Sequence, residues 1–281
     1  MREIDTAGIT MAVKELCINT NFFLPKDTER AMEEALRTEE SPLGREILQV
    51  ILDSHRIAGE KRMPLCQDTG VAVVFIEVGQ DVHLVGGDLE EAINEGVRQG
   101  YREGYLRKSM VSDPVIQRRN TGDNTPAVIH TRIVPGDKVR IRFAPKGGGA
   151  ENMSEVRMMT AADGIEGVED FVVDRIMRSG GNPCPPVVVG VGIGGSFEQC
   201  ALLAKEALLR PIGTTNPDPA YAEVEADILR RLNNLGIGPQ GLGGRTTALA
   251  VHIAVMPCHI ASMPVAVNVQ CHASRHGETV L

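Results

Sequence analysis

Apolar residues recur at helical spacing through the first sixty positions, at Ile9, Val13 and Leu16, then Ala31, Ala35 and Leu36, then Leu43, Ile47, Ile51 and Ile57. That periodicity predicts helices over 1–60, with Ser41 as an N-cap and Pro42 as a first helical residue. The pattern changes at residues 70–79, where an unbroken apolar run bounded by glycines predicts a buried strand, and 89–105 returns to helix. Two β-rich runs, 127–134 and 138–144, flank Pro135-Gly136-Asp137 and predict a hairpin. Helical patterns resume after the glycines at 147–149 and continue to about residue 179. A buried strand over 187–191 leads into a helix over 196–209, another helix covers 220–235, and strands over 247–256 and 264–269 follow. No repeat or low-complexity stretch interrupts the order. The expected fold class is mixed α/β, a helical N-terminal region followed by α/β lobes. The chain reads as one domain over 1–281, with 179–183 as the seam between possible lobes 1–180 and 181–281.

Composition narrows the function classes. The 281 residues carry 37 acidic and 29 basic side chains, a formal net charge of −8. That balance offers no attraction to nucleic acid or to an anionic membrane, so neither is an expected partner. The first residues, Met1-Arg2-Glu3-Ile4-Asp5, lack the apolar stretch of a signal peptide, and no apolar run approaches membrane-spanning length. A cytoplasmic location is the expectation. Without Trp and with few other aromatics, the core must come from aliphatic residues and Met.

The six cysteines, at 17, 66, 184, 200, 258 and 271, form no Cys-x-x-Cys, which excludes a zinc ribbon or a ferredoxin-type motif. In a reducing compartment they are not expected to pair as disulfides. A site assembled from distant segments stays open. Cys66-Gln67-Asp68 puts a thiol, an amide and a carboxylate on consecutive residues between a helix and a strand, although, taken alone, a small buried Cys beside a turn is the favoured reading. Cys184 is hemmed by Pro183, Pro185 and Pro186, which suits either a rigid ligand loop or a structural turn. Cys271 is followed by His272, Arg275 and His276, cations that favour a thiolate. His259 follows Cys258 at the end of the preceding strand.

Two glycine clusters carry competing readings. Residues 190–195 satisfy G-x-G-x-x-G after a strand and before a helix, but no acidic residue ends a second strand about 20 positions later. The chain there is Arg210-Pro211-Ile212-Gly213-Thr214, a loop. Close backbone packing is therefore expected in place of a dinucleotide, with Ser196 and Gln199 forming a capping box. Lys146-Gly147-Gly148-Gly149 is either an anion cradle or a flexible loop.

Read together, these segments resemble the class I fumarases and the related tartrate dehydratases. The resemblance spans nearly the whole chain as the α subunit or N-terminal part. Its carriers are PLCQDTG (64–70), YLRKS (105–109), NTGDNTPA (120–127), KGGGAEN (146–152), NPCPPVVVGVGIGG (182–195), LRPIGTTNPDP (209–219), LGIGPQGLGGRTT (235–247) and PCHIASMPVAVNVQCHASRH (257–276). The resemblance implies one [4Fe–4S] cluster held by Cys66, Cys184 and Cys271, with the fourth iron open. Cys17, Cys200 and Cys258 fall outside those positions and read as structural. It further implies that Gln67, Asp68, Arg107 and Gly149 contact a dicarboxylate substrate. His259 would pair with Asp68 in proton transfer to the leaving hydroxyl. The swivelling domain that completes such sites is not in this sequence, which implies a separate β subunit, with α2β2 the expected assembly.

The implied activity is a hydro-lyase interconverting (S)-malate and fumarate by anti elimination of water. L(+)-tartrate dehydration is the alternative. Lys146 before the triple glycine and the CHIASMPVAVN stretch favour the first by resemblance. Readings from other classes are a zinc protein using the Cys258-His259 and Cys271-His272 pairs, and a non-catalytic iron–sulfur sensor.

Overall fold

The computed structural model describes all 281 residues, which form two compact units. The first comprises Met1–Pro25, Ser54–Gly148 and Arg275–Leu281, and the second Lys26–Asp53 and Gly149–Ser274. The chain thus passes between units four times, and residues 179–183 lie inside the second.

In chain order the elements are β1 (Arg2–Asp5), α1 (Thr6–Phe22), α2 (Lys26–Thr38), α3 (Pro42–Lys61), β2 (Val71–Gly79), β3 (Val82–Val85) and α4 (Leu89–Glu103). There follow β4 (Val128–Val134), β5 (Val139–Lys146), α5 (Gly148–Glu151), β6 (Glu155–Met159), α6 (Gly164–Ser179), β7 (Val187–Gly195) and α7 (Phe197–Ala207). The last are α8 (Pro219–Asn233), β8 (Ala248–Cys258), β9 (Met263–Gln270) and β10 (Gly277–Val280). The class is mixed α/β, as the hydrophobic pattern implies.

In the first unit a four-stranded sheet has the order β10-β5-β2-β4. The alternate residues Ala72, Val74 and Ile76 of β2 and Val139, Ile141 and Phe143 of β5 share a core with α1 and α4. α1 approaches α4 so closely that a Cβ on Gly96 would lie 2.7 Å from Val13 Cβ, and one on Gly100 2.6 Å from Cys17 Cβ. The expected hairpin of 127–134 with 138–144 does not form. β2 lies between its two arms, parallel to β4 and antiparallel to β5. The Pro135-Gly136 turn exists, but the end of β2 enters it. Asp81 N–H donates to Gly136 O at 2.9 Å and Gln80 N–H to Val134 O at 2.8 Å. The first residues also depart from the helical expectation, since β1 pairs in parallel with β3. Four residues are too few for a periodic signal, and Asp5 stops the strand by capping α1 through Ala7 N–H at 2.8 Å.

In the second unit the sheet order is β6-β9-β7-β8, with β7 parallel to β8 and antiparallel to β9. Alternation along β7 separates two faces. Val187, Val189 and Val191 join Phe171, Val172 and Ile176 of α6 and Ile228 and Leu232 of α8 in one core. On the other face lie Gly190 and Gly192, against α7. A Cβ on Gly190 would sit 2.1 Å from Ala204 O and one on Gly192 2.2 Å from Cys200 O. The glycine run thus lies within the strand and admits a helix at short range. The Ser196/Gln199 capping box forms, Gln199 Oε1 accepting the Ser196 N–H at 3.1 Å. β6, in a stretch expected to be helical, is a short strand beside β9, formed by pairing rather than by its own periodicity. No helix is long and apolar enough to cross a membrane.

Candidate functional site

The loop between α3 and β2 carries Cys66, Gln67 and Asp68 in the first unit, and hydrogen bonds hold it closely around Asp68. The Asp68 carboxylate accepts Gly70 N–H on Oδ1 at 3.0 Å and Gly148 N–H on Oδ2 at 2.8 Å. The Asp68 N–H points at Cys66 Sγ at 3.4 Å. The carbonyls are held as well: Arg275 Nη2 donates to Asp68 O at 2.9 Å, and Tyr101 Oη lies 2.7 Å from Thr69 O and 2.9 Å from Gly70 O. Asn124 Nδ2 donates to Gly70 O at 3.1 Å. Gly70 has φ +73°, and a Cβ there would meet Lys146 N at 2.7 Å, so only glycine lets the loop press against the end of β5. Burial pushes the Tyr101 hydroxyl well above its ordinary pKa, which keeps it a donor.

Arg107 belongs to the same unit. Its side chain is exposed, while its carbonyl accepts Thr69 Oγ1–H at 2.9 Å, which ties its backbone to the Asp68 loop. The triple glycine leads into α5. Its amide at Gly148 binds an anion, and that anion is Asp68; a Cβ on Gly147 would approach Asp68 Oδ2 to 3.1 Å.

In the second unit Cys184 stands exposed on its proline-flanked turn with φ +56°. Its carbonyl accepts His272 N–H at 3.2 Å, which places the Cys184 turn against the end of β9 at Cys271. The segment following α8 clamps this turn. Gln240 N–H donates to Pro185 O at 2.8 Å, Gln240 Nε2 donates to the same oxygen at 3.0 Å, and a Cβ on Gly241 would fall 2.5 Å from Gly181 Cα. The buried Glu39 anchors the clamp, accepting Arg245 N–H at 2.9 Å and Thr246 N–H at 2.7 Å. Burial opposes its ionisation, but these hydrogen bonds prevail and lower its pKa to about 2. Gly149 also lies here, and a Cβ on it would be 3.6 Å from Asn182 O.

His259 is exposed at the tip joining β8 and β9. Its Nδ1 accepts Ala261 N–H at 3.1 Å, so the neutral ring carries its proton on Nε2. Asp68 and His259 belong to different units, as do Cys66 and the Cys184–Cys271 pair.

The remaining cysteines behave as structural thiols. Cys17 and Cys200 are fully buried, and burial raises both pKa values, so they stay neutral. Cys258 donates to Ser262 O at 3.1 Å within its turn. No group of three or more His, Cys, Asp or Glu side chains converges on a point that could hold one metal ion. A cavity of about 300 Å³ in the second unit is lined by Arg210, Thr214, Glu225 and His252 and includes none of the candidate residues.

Tyr101, Asn124, Gln240 and Glu39 carry no chemical signal in the sequence, and Arg275 enters it only as a cation near Cys271. Asn124 and Gln240 fall inside the motif segments 120–127 and 235–247, and Arg275 in 257–276. Only the fold reveals that they hold the candidate loops.

With this geometry in view, the similarity to known proteins is informative. A family model described as fumarate hydratase (Fumerase) matches residues 10–280. The chain belongs to the fumarate hydratase family. It is also 41% identical over 271 residues to a Methanocaldococcus jannaschii protein named "Putative L(+)-tartrate dehydratase subunit alpha", covering 95% of each chain. To the L(+)-tartrate dehydratase subunit alpha of Escherichia coli strain K12 it is 36% identical over 256 residues, 90% of this chain and 84% of that one. The Shigella sonnei subunit of the same name matches to the same extent. Membership makes the chain part of a hydro-lyase family, and the loops bearing Cys66, Cys184, Cys271 and His259 all lie within the matched span.

Proposed function

We propose that this chain is the α subunit of an iron–sulfur hydro-lyase that interconverts (S)-malate and fumarate, completed by a separate β subunit. The observation that carries the reading is the Asp68 loop, in which a carboxylate pinned by two backbone N–H groups stands two residues after a partly accessible thiol. A carboxylate so held is oriented before substrate arrives, the condition under which a positioned acid or base contributes about 10²–10⁴-fold in rate.

Support for the cluster comes from the donor set. Cys66, Cys184 and Cys271 form no disulfide, stand on non-regular segments and are at least partly accessible, whereas Cys17 and Cys200 are sealed in the cores. Cysteines of a cubane bind different irons, so they need not converge on one point as ligands of a single ion do. These three would hold it, and a bound cluster with an open iron supplies a Lewis acid for the substrate hydroxyl and carboxylate.

The chain's own side chains then divide the work. Arg107 presents a guanidinium, suited to a carboxylate, on the backbone tied to the Asp68 loop. Gln67 offers an exposed amide on the residue before Asp68. His259, protonated on Nε2 in its neutral form, can donate a proton or a hydrogen bond to the departing oxygen. Asp68, acceptor-only when ionised, can in turn receive one. The base for the C3 proton and the cations for the second carboxylate belong to the partner subunit in this reading.

A second substrate, L(+)-tartrate, is favoured by the names of the similar α subunits. Both are tested in one experiment. The chain, its β subunit and their mixture are reconstituted anaerobically and assayed with (S)-malate and with L(+)-tartrate. The expected result is fumarate formation by the mixture only. Oxaloacetate formation from tartrate alone would move the assignment to the second substrate, and full turnover by the lone chain would overturn the two-subunit site.

A further inference from the structure

Arg275 is the bulkiest of the fully buried side chains, 1% exposed. A buried guanidinium is costly unless its charge is paired and its donors are bonded. Here no carboxylate accepts from it. Its Nη1 donates to Asn21 Oδ1 at 3.0 Å and its Nη2 to Asp68 O at 2.9 Å, while Nε is buried without a hydrogen-bond partner. The fork therefore spends its strong donors on one side-chain amide and one main-chain carbonyl.

Asn21 is built to present that amide. Completely buried near the C-terminal end of α1, it donates from Nδ2 to Cys17 O at 2.9 Å, which turns Oδ1 toward Arg275. Its own carbonyl accepts Leu65 N–H at 2.8 Å. The loop is thus gripped on both sides of Cys66, by Asn21 at Leu65 and by Arg275 at Asp68. A core position held only for packing would be served by an aliphatic residue, without the desolvation cost of a charge.

We infer that Arg275 is a positioning residue for the Asp68 loop. Held by Asn21, its guanidinium fixes the Asp68 main chain and sets a buried positive charge, hydrogen-bonded to no carboxylate, beneath the segment that receives an anionic substrate. This rests on the reading of Asp68 as substrate-facing. A cation so placed favours a dianion in front of the loop without touching it, since charges interact over several ångströms in a low-dielectric interior. The fork geometry matters too, because lysine has one ammonium and cannot span both acceptors as a planar guanidinium does.

The test compares Arg275→Met and Arg275→Lys with wild type in two measurements. Hydrogen–deuterium exchange is followed in the chain alone, comparing a peptide covering residues 65–70 with one covering β7. Kinetic constants are measured in the reconstituted αβ complex, per bound cluster. Loss of hydrogen bonds to a charged group predicts exchange at 65–70 faster by at least about tenfold in the Met variant, with β7 unchanged. In the complex kcat should fall and KM should rise, with Lys intermediate in both assays. Equal acceleration in β7 would make Arg275 a structural residue only and overturn the proposal, as would wild-type exchange and kinetics in the Met variant. If the Met variant does not fold, the Lys variant decides alone: faster exchange confined to 65–70 with lower kcat supports the proposal, and wild-type values for both overturn it. If the wild-type complex dehydrates neither substrate, the functional reading fails, and the exchange arm still judges Arg275.

Discussion

At the scale of single residues, the six cysteines sort by environment. Cys17 and Cys200 are sealed, with burial raising their pKa values, whereas Cys66, Cys184 and Cys271 sit on loops within reach of solvent. Thiolates, not thiols, ligate metals. Single Ser replacements at 66, 184 or 271 are therefore expected to abolish cluster binding, while Cys17→Ser and Cys200→Ser retain it. Iron and sulfide counts after anaerobic reconstitution check this, and loss in Cys200→Ser with retention in Cys184→Ser would contradict the ligand set. Accessible loop cysteines were legible as candidates from their proline and polar neighbours. The donors that steady those loops were not, because Tyr101, Asn124 and Gln240 stand 32, 54 and 55 positions from the carbonyls they hold.

At the scale of elements, glycines decide how closely backbones approach. Gly192 faces α7, where a Cβ would stand 2.2 Å from Cys200 O and 2.6 Å from Ala204 N, both rigid helix backbone. Gly192→Ala should cost at least about 2 kcal/mol, because the strand or the helix must move to admit the methyl group. Gly8, within α1, meets nothing within 4 Å. Gly8→Ala should stabilise by about 0.5–1 kcal/mol through helix propensity and a less flexible unfolded chain. Urea unfolding of the two variants and wild type measures both signs, and equal midpoints would refute the packing account. The same packing explains why a G-x-G-x-x-G spacing occurs without a dinucleotide site.

At the scale of the whole molecule, buried titrating groups set the response to acid. Burial, reinforced by Arg275, lowers His55 to a pKa of about 4, and burial with Arg210 does the same for His252. Both imidazoles stay neutral in the native state, while the unfolded chain binds their protons from about pH 6.5 downward. Stability must therefore fall as pH drops from 6.5 to 4, by at most about 3 kcal/mol per histidine. Glu39 acts at lower pH. Its pKa of about 2 makes its contribution complete above 4.5 and lost below. Urea midpoints at pH 7 and pH 5 should show the decline, and His252→Gln should flatten it. A rise in stability between pH 6.5 and 5 would refute the assignment.

The sequence by itself determined the mixed α/β class, the strand of β2, the helices α3, α4, α7 and α8 and the segments that carry candidate chemistry. Those features depend on local periodicity, capping and residue type, which short windows contain. Tertiary structure alone decided that β2 enters between β4 and β5, because the turn at Pro135-Gly136 permits a tight or a wide reversal equally and only the third strand chooses. It alone decided the short strands β1, β3, β6 and β10, whose four or five residues are stabilised by pairing rather than by pattern. It also decided that the chain divides into two units whose stretches alternate along the sequence, because each core forms between segments far apart in sequence. The grip on Asp68 belongs to the same class. Arg275 reaches it across 207 positions, and no local rule connects a charged residue near the end of the chain with a loop near its beginning.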